Sequence, residues 1–421
     1  AETAADRLRN ARVARVLSVE TEHVREAPPL PFDLGTLQVV CSRRLGLDVQ
    51  ETLNIAQALY ETHKATTYPR SDCGYLPESM FAEVPTVLNA LIVADSTLRT
   101  LIGKLDPTQR SRAWNDSKIT AHHGIIPTLE PANLAGMSGK ERAVYQLIRT
   151  HYLAQFLPHY EYDRTTAQFD CADQKLQARG QLITSKGWRI VLEDLQTHTE
   201  GDDDSPHGQV LPDLSPGMRC EVTAVELKAL KTLPPKPYTQ GELISTMKGI
   251  ARLVSDPRLK QKLKETTGIG TEATRAGIIQ GLIGRTYLIR QGRAIRASPT
   301  AHTLIDAIPA AIADPGTTAI WEQSLDLIAA RQMTLDDFIG RQSAWVADLI
   351  HQYAQTTLSI ELPQGPACPK CAAPTRQRHG PHGAFYSCSR YPDCKGTHPF
   401  AQTSRSPRTA KSSRRRAARK T

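Results

Sequence analysis

Residues 14–26, ARVLSVETEHVRE, read as one long strand between a helical N-terminus and the break APPLPF. A strand of that length needs hydrogen-bonding partners, and none lies close by in sequence. From Leu47 the apolar period is helical: DVQETLNIAQALYETHK carries Asp48 and Glu51 at capping-box spacing, with Leu53, Ala56 and Tyr60 recurring on one face. Helical sequence continues to about Thr150, interrupted by NDSKITAHHGIIPT. Only between about 160 and 233 does period two return, in YDRTTAQFDCA, KLQARGQLI, GWRIVLE and MRCEVTAVELKAL. The early strand is therefore expected to pair with this late block, and helical sequence is inserted between the two halves of one β-rich region.

After TLPPKPY helices resume, with Thr239 and Glu242 as another capping box. TTGIGTEATRAGIIQGLIGR gives a glycine-bearing loop and a helix, and TYLIRQGRAIRAS reads as two short strands around Gln291 and Gly292. A helix followed by such a hairpin suits a winged-helix unit. ELPQGPA, residues 361–367, is a linker into a cysteine-rich segment.

The net charge of +9 is misleading as a nucleic-acid signal, because residues 401–421 hold eight Lys or Arg and no acid, leaving the body near +1. That Ser/Arg/Ala tail has too little apolar surface to fold and reads as a disordered basic arm for phosphate backbones. No apolar run is long enough for a membrane span and the polar start AETAADRLRN is no signal peptide, so a cytoplasmic, DNA-associated protein without a membrane partner is expected. The opening residues look like the inside of a helix, and we expect the natural protein to begin earlier. Cys41, Cys73, Cys171 and Cys220 are scattered, whereas Cys368, Cys371, Cys388 and Cys394 crowd one segment. Four thiolates at this spacing suit a tetrahedral Zn²⁺ site on a small ribbon, with His379, His382 and His398 as nearby non-ligands. Phe385, Tyr386 and Tyr391 interleave there with Arg376, Arg378, Arg390 and Lys395, a mix that suits stacking on single-stranded DNA.

In ATTYPRSD, Pro69 pushes Tyr68 into an extended conformation, so Tyr68 and Arg70 project to one side. A guanidinium grips two oxygens of a phosphate, and a phenol beside it can attack the phosphorus once deprotonated. A free phenol titrates near ~10, so neighbouring positive charge or a base must favour the phenolate. Gly268, Gly270 and Thr271 sit at an expected helix N-terminus, where free N–H groups favour phosphate, and Arg275 lies one turn further on. No phosphate-binding G-x-x-x-x-G-K-[ST] loop occurs, so ATP is not implied.

QALYETHKATTYPRSD, DSKITAHHGIIPT, PPKPYTQGELISTMKGIARLV and GIGTEATRAGIIQGLIGRTYL occur in this order, and together they resemble the type IA DNA topoisomerases, topoisomerase III branch. The likeness runs from residue 1 to about 400. It implies that Tyr68 cuts one DNA strand and holds a 5′-phosphotyrosine, that Arg70 aligns the scissile phosphate, and that His122 sits at that phosphate with His123 only its neighbour. Asp72, Lys118, Gly268, Gly270, Thr271 and Arg275 are implied as DNA contacts, and single-stranded DNA as the partner of a monomer.

The implied fold is an α+β multidomain toroid, helical domains plus a β-rich arch, with a C-terminal zinc ribbon but without the TOPRIM domain that carries Mg²⁺ in the family. Its expected parts are the arch at 1–26 and 148–233, the helical domain with the tyrosine at 27–147, a helical DNA-binding domain at 234–360, the ribbon at 361–400 and the tail at 401–421. The nearest acidic cluster, Asp202 to Asp204, reads as a solvated turn and not as the Mg²⁺ site. The chain alone is then expected to bind DNA but to relax it poorly unless the TOPRIM portion is supplied in cis or in trans. The alternative is a non-catalytic single-stranded-DNA-binding remnant or accessory module. A tyrosine recombinase is excluded, since its nucleophile belongs near the C-terminus after an R-H-x-x-R stretch.

Overall fold

The long early strand finds its partner far down the chain. In the computed structural model, which describes residues 1–119, 121–192, 209–266, 268–354, 365–380 and 383–399, β1 (Val13–Glu26) follows α1 (Glu2–Ala11) and pairs antiparallel with β2 (Tyr160–Cys171). The register runs from Arg15 opposite Asp170 to Glu26 opposite Tyr160. β3 (Gln174–Ser185) pairs with β2, and β4 (Arg219–Glu221) covers only Val13 to Arg15 on the other edge of β1, giving the order β3-β2-β1-β4.

Two expected strands are corrected. GWRIVLE is not a strand: Gly187–Val191 form a 3-10 turn, with Gly187 at φ +43. Trp188 Nε1 donates to Glu26 O at 2.8 Å, and the Arg189 guanidinium lies 3.7 Å over the Tyr160 ring while pairing with Glu26 at 2.7 Å. The segment therefore folds back to close the end of the sheet. Most of MRCEVTAVELKAL also fails to become strand, because β1 offers it a paired edge only near residue 13; beyond Glu221 no regular element forms before Gln240, and Leu230 and Leu233 are exposed. Asp202 to Asp204 and the 401–421 tail lie outside the described residues.

The inserted helices are α2 (Leu34–Leu45), α3 (Val49–Glu61), α4 (Val84–Ala94), α5 (Arg99–Ile102) and α6 (Gly139–Leu153). Asp33 caps α2 by accepting from Thr36 N at 2.6 Å, and Gly46 ends it at φ 65. Ser138 and Glu141 form a reciprocal capping box on α6, and the Ser138 N–H donated to Glu141 holds that carboxyl below its usual range. The box expected at Asp48 and Glu51 does not form at Asp48, whose carboxylate accepts from Gln240 Nε2 at 3.1 Å and pairs with Arg290. Tertiary partners have outcompeted the local cap. Phe32, Leu37, Leu59, Leu91, Ile148 and Phe156 centre the main core of these helices.

Further along come α7 (Gln240–Lys248), α8 (Pro257–Glu265), α9 (Glu272–Gly284), the hairpin β5 (Leu288–Gln291) and β6 (Ala294–Ala297), α10 (Pro299–Ala307), α11 (Ala310–Ala313), α12 (Pro315–Ala329) and α13 (Leu335–Tyr353). The capping box at Thr239 and Glu242 is made in full. Leu34, Val49 and Leu53 meet Ile244, Met247, Ala276 and Ile279 in a second core, so α2 and α3 bury one side against their own helices and the other against α7 and α9. The chain divides into two compact units, residues 1–297 with 310–344, and residues 298–309 with 345 onward. In the second, β7 (Thr375–Gly380), β8 (Gly383–Cys388) and β9 (Thr397–Pro399) form an antiparallel ribbon.

Candidate functional site

Two loops distant in sequence are sewn together edge to edge. Thr67 N donates to Ile126 O at 2.9 Å, Ile126 N donates to Thr67 Oγ1 at 3.0 Å, and Thr67 Oγ1 donates to Gly124 O at 3.0 Å. Phe32 pairs with Ile125 from the far side. This close layering demands glycine at Gly74, where a Cβ would lie 2.7 Å from Pro31 O, and leaves little room at Gly124, where one would lie 3.0 Å from Pro31 Cβ. Pro69 and Ser71 are buried and anchor the first loop, while Tyr68, directly before Pro69, is 38% exposed. The fixed backbone thus presents a phenol at the surface.

Sewing the loops together places His122 on Tyr68, with ring centroids 4.6 Å apart at 26°. His123 instead donates Nδ1–H to Gly124 O at 2.9 Å and serves its own loop. Arg70 Nη2 donates to Gln57 Oε1 at 2.9 Å, and the Tyr60 ring meets Tyr68 edge-on at 5.8 Å and 88°. Gln57 and Tyr60 are three apart on α3, so one helix face supports both the phenol and the guanidinium. Tyr60 recurs in sequence with the apolar face of α3, yet it is 37% exposed and lines the site. Its position one turn after Gln57 was the signal that could have found the pair. Asp72 is exposed on the turn after Arg70. Lys118 is exposed on a short 3-10 turn, tied to the first loop through its carbonyl, which accepts from Cys73 Sγ at 3.5 Å.

The second group of expected DNA contacts splits in two. Gly268 and Gly270 take φ +89 and +68, and a Cβ on Gly268 would overlap the carbonyls of Met247 and Lys248, so only glycine fits this loop. Thr271 caps α9 together with Thr274. Arg275, expected to face phosphate, is 0% exposed: Nε donates to Ile269 O, Nη2 to Gly270 O and Nη1 to Glu272. Its guanidinium shapes the loop from beneath and is not presented to solvent.

The ribbon brings Cys368, Cys371, Cys388 and Cys394 together with all sulfurs within 4.8 Å of one another. Sγ–Sγ separations are 3.8 Å for Cys368–Cys394 and 3.4 Å for Cys371–Cys388, close to the ~3.8 Å that tetrahedral Zn–S bonds of about 2.3 Å require. Lys370 N donates to Cys368 Sγ and Arg390 N to Cys388 Sγ, and the Lys370 N–H is the chief cause that brings the Cys368 thiol down to about 6. A Cβ on Gly396 would overlap Cys368 Sγ, so the second knuckle needs its glycine. The donor set fits Zn²⁺. His398 donates Nδ1–H to Pro399 O at 3.1 Å. Tyr391, 54% exposed, carries the Arg378 guanidinium 5.6 Å from its ring centre.

The DNA topoisomerase family model matches residues 1–340, and the topoisomerase DNA-binding C4 zinc finger model matches residues 365–403. The chain belongs to the type IA DNA topoisomerase family. Among its relatives are DNA topoisomerase 3 of Vibrio cholerae, 37% identical over 359 residues (85% of this chain, 55% of the relative), and DNA topoisomerase 3 of Haemophilus influenzae, 39% identical over 339 residues (80% and 51%). The chain thus spans about half the length of the curated relatives it matches. Full-length topoisomerase I from Thermotoga maritima shares the fold, with TM-score 0.58 and 20% identity, covering 95% of this chain and 62% of that one. The Cys368–Cys394 ribbon is the C4 zinc finger of that family, with the four thiolates as its Zn²⁺ ligands. No helix among the described residues is long and apolar enough to cross a membrane.

Proposed function

We propose that this chain supplies the nucleophile half of a type IA topoisomerase acting on single-stranded DNA. The Tyr68 phenolate oxygen attacks a backbone phosphorus, the bond from phosphorus to the 3′ oxygen breaks, and that oxygen takes up a proton as it leaves. The product is a 5′-phosphotyrosine. Attack by the same 3′ hydroxyl reverses the step after another strand has passed, so one phosphodiester is exchanged for another and no nucleotide is consumed. Arg70, in the Tyr68 loop and held by Gln57 of α3, grips non-bridging oxygens, and His122 donates to the phosphate or relays the phenol proton. Asp72, Lys118 and the Gly268–Thr271 loop guide the strand by charge and backbone N–H groups. The zinc ribbon adds stacking on the unpaired bases through Tyr391 and its neighbours.

The observation that carries this reading is the stacking of Tyr68 on His122 at 4.6 Å, from loops that the sequence separates widely. The family resemblance assigns magnesium chemistry to a TOPRIM portion in cis or in trans, and on this reading the chain alone binds DNA but relaxes it weakly. Both loops of the site come from one copy, so a monomer suffices, DNA-associated and in a reducing compartment.

The test adds the N-terminal half of a relative and Mg²⁺ to the chain with labelled single-stranded DNA, then traps and maps the adduct. Label on Tyr68, lost in Tyr68→Phe, is the expected result. Label on another side chain sinks the assignment, and tight binding with no adduct would favour the non-catalytic module.

A further inference from the structure

We propose that Lys248 is a positioning residue that couples the Tyr68 loop to the Gly268–Thr271 loop through ion pairs with Asp33 and Glu272. Its Nζ lies 3.2 Å from both Asp33 oxygens and 3.1 Å from Glu272 Oε1. On one side, Asp33 caps α2, and the next residue, Leu34, donates its N–H to Ser71 O at 2.9 Å. Ser71 is buried and directly follows Arg70. On the other side, Glu272 accepts from Arg275 Nη1 at 2.7 Å, and Arg275 holds the carbonyls of Ile269 and Gly270 at 2.9 and 2.8 Å. A path of ion pairs and charge-assisted bonds, completed by the backbone bond from Leu34 to Ser71, thus joins the two loops across the seam where α2 meets α7 and α9.

Packing alone does not account for these residues. Glu272 is 6% exposed, and its Oε2 is enclosed with no hydrogen-bond partner among the described residues. Burying a carboxylate oxygen without a partner is costly, and an apolar side chain would fill the seam at less expense. Gly35 leaves room for the arrangement: a Cβ there would overlap Glu272 Oε2 and lie 3.2 Å from Lys248 Cδ. Lys248 is itself 30% exposed in its side chain, at the rim of this buried group. The role rests on the reading that both loops hold the same DNA strand, since coupling them then fixes the distance between a phosphate at Tyr68 and one at the glycine loop.

The experiment compares amide hydrogen exchange and DNA binding in the full chain and in Lys248→Met, Lys248→Arg and Gly35→Ala. In Lys248→Met, exchange at Leu34 and at residues 268–271 rises together, by roughly tenfold or more, as loss of charge-assisted bonds predicts. Lys248→Arg restores both. Gly35→Ala removes no charge but displaces Glu272, and it raises exchange in the same two places; it also decides the matter if Lys248→Met does not fold. Faster exchange confined to residues 268–271 overturns the proposal. Binding to a fluorescent oligothymidylate adds a double-mutant cycle: Arg70→Ala and Thr271→Ala are coupled in the wild-type chain and become additive with Lys248→Met. Coupling that persists in Lys248→Met also overturns it. A wild-type chain that binds no single-stranded DNA removes the proposed function, and exchange alone then decides the role of Lys248.

Discussion

The helical region around Tyr68 and the C-terminal ribbon become ordered by opposite means. The first buries Phe32, Leu37, Leu59, Leu76, Leu91 and Phe156 almost completely. In the ribbon, the buried side chains among the described residues are Cys368, Thr375, Ser387 and Cys388, with no large apolar group. A unit so small cannot close a core of its own, and metal–thiolate bonds replace one. One region holds its site by packing and the other by chemistry, so they should fail under different insults.

Removing zinc gives the largest separation. Chelation should unfold the ribbon, a loss on the scale of about 10 kcal/mol of metal-linked folding energy, and leave the melting of the helical region unchanged. Zinc release and the amide spectrum of residues 368–399 report it; a ribbon that keeps its dispersion without metal breaks the comparison. Acid gives the next. His151 is buried in the helical core with its ring 3.9 Å from Phe32, and burial brings its pKa down to about 4 despite the bond from Nδ1 to Leu147 O. Between about pH 6.5 and about 4 the unfolded chain binds a proton that the folded chain refuses, so stability falls as pH falls through that window. The expected loss is roughly 3 kcal/mol, measured as a urea midpoint and flattened in His151→Gln. The smallest effect is Ser138→Ala, which removes the capping box of α6 and should cost about 1 kcal/mol in the same measurement, with zinc retention untouched.

The discontinuous β region was legible because alternating residues at 14–26 and after 160 had no other partners. The hairpin at 288–297 was equally legible from its glycine turn. GWRIVLE and most of MRCEVTAVELKAL have strand composition, yet the sheet edge that would pair them ends near Val13; period two records an opportunity to pair, and only the neighbouring strand decides whether it is taken. Asp48 shows the same limit for caps, since Gln240 and Arg290 reach it from 192 and 242 residues away. Within the site, Tyr68 and Arg70 stand out around Pro69 and His122 is implied by the family resemblance, whereas Gln57 and Tyr60, although they lie in the same stretch QALYETHKATTYPRSD, take a role there only once α3 is packed behind the loop.

By itself the sequence settled which groups could do chemistry: the phenol and guanidinium flanking Pro69, and four thiols at metal spacing. Those depend on residue type and near-neighbour geometry, which a chain carries wherever it folds. The tertiary structure decided which charges stay available. It turned Arg275 inward to hold a loop, placed Lys248 between two carboxylates, and set His122 against Tyr68, because burial and partnership are properties of what comes to lie alongside a residue and not of the residue itself.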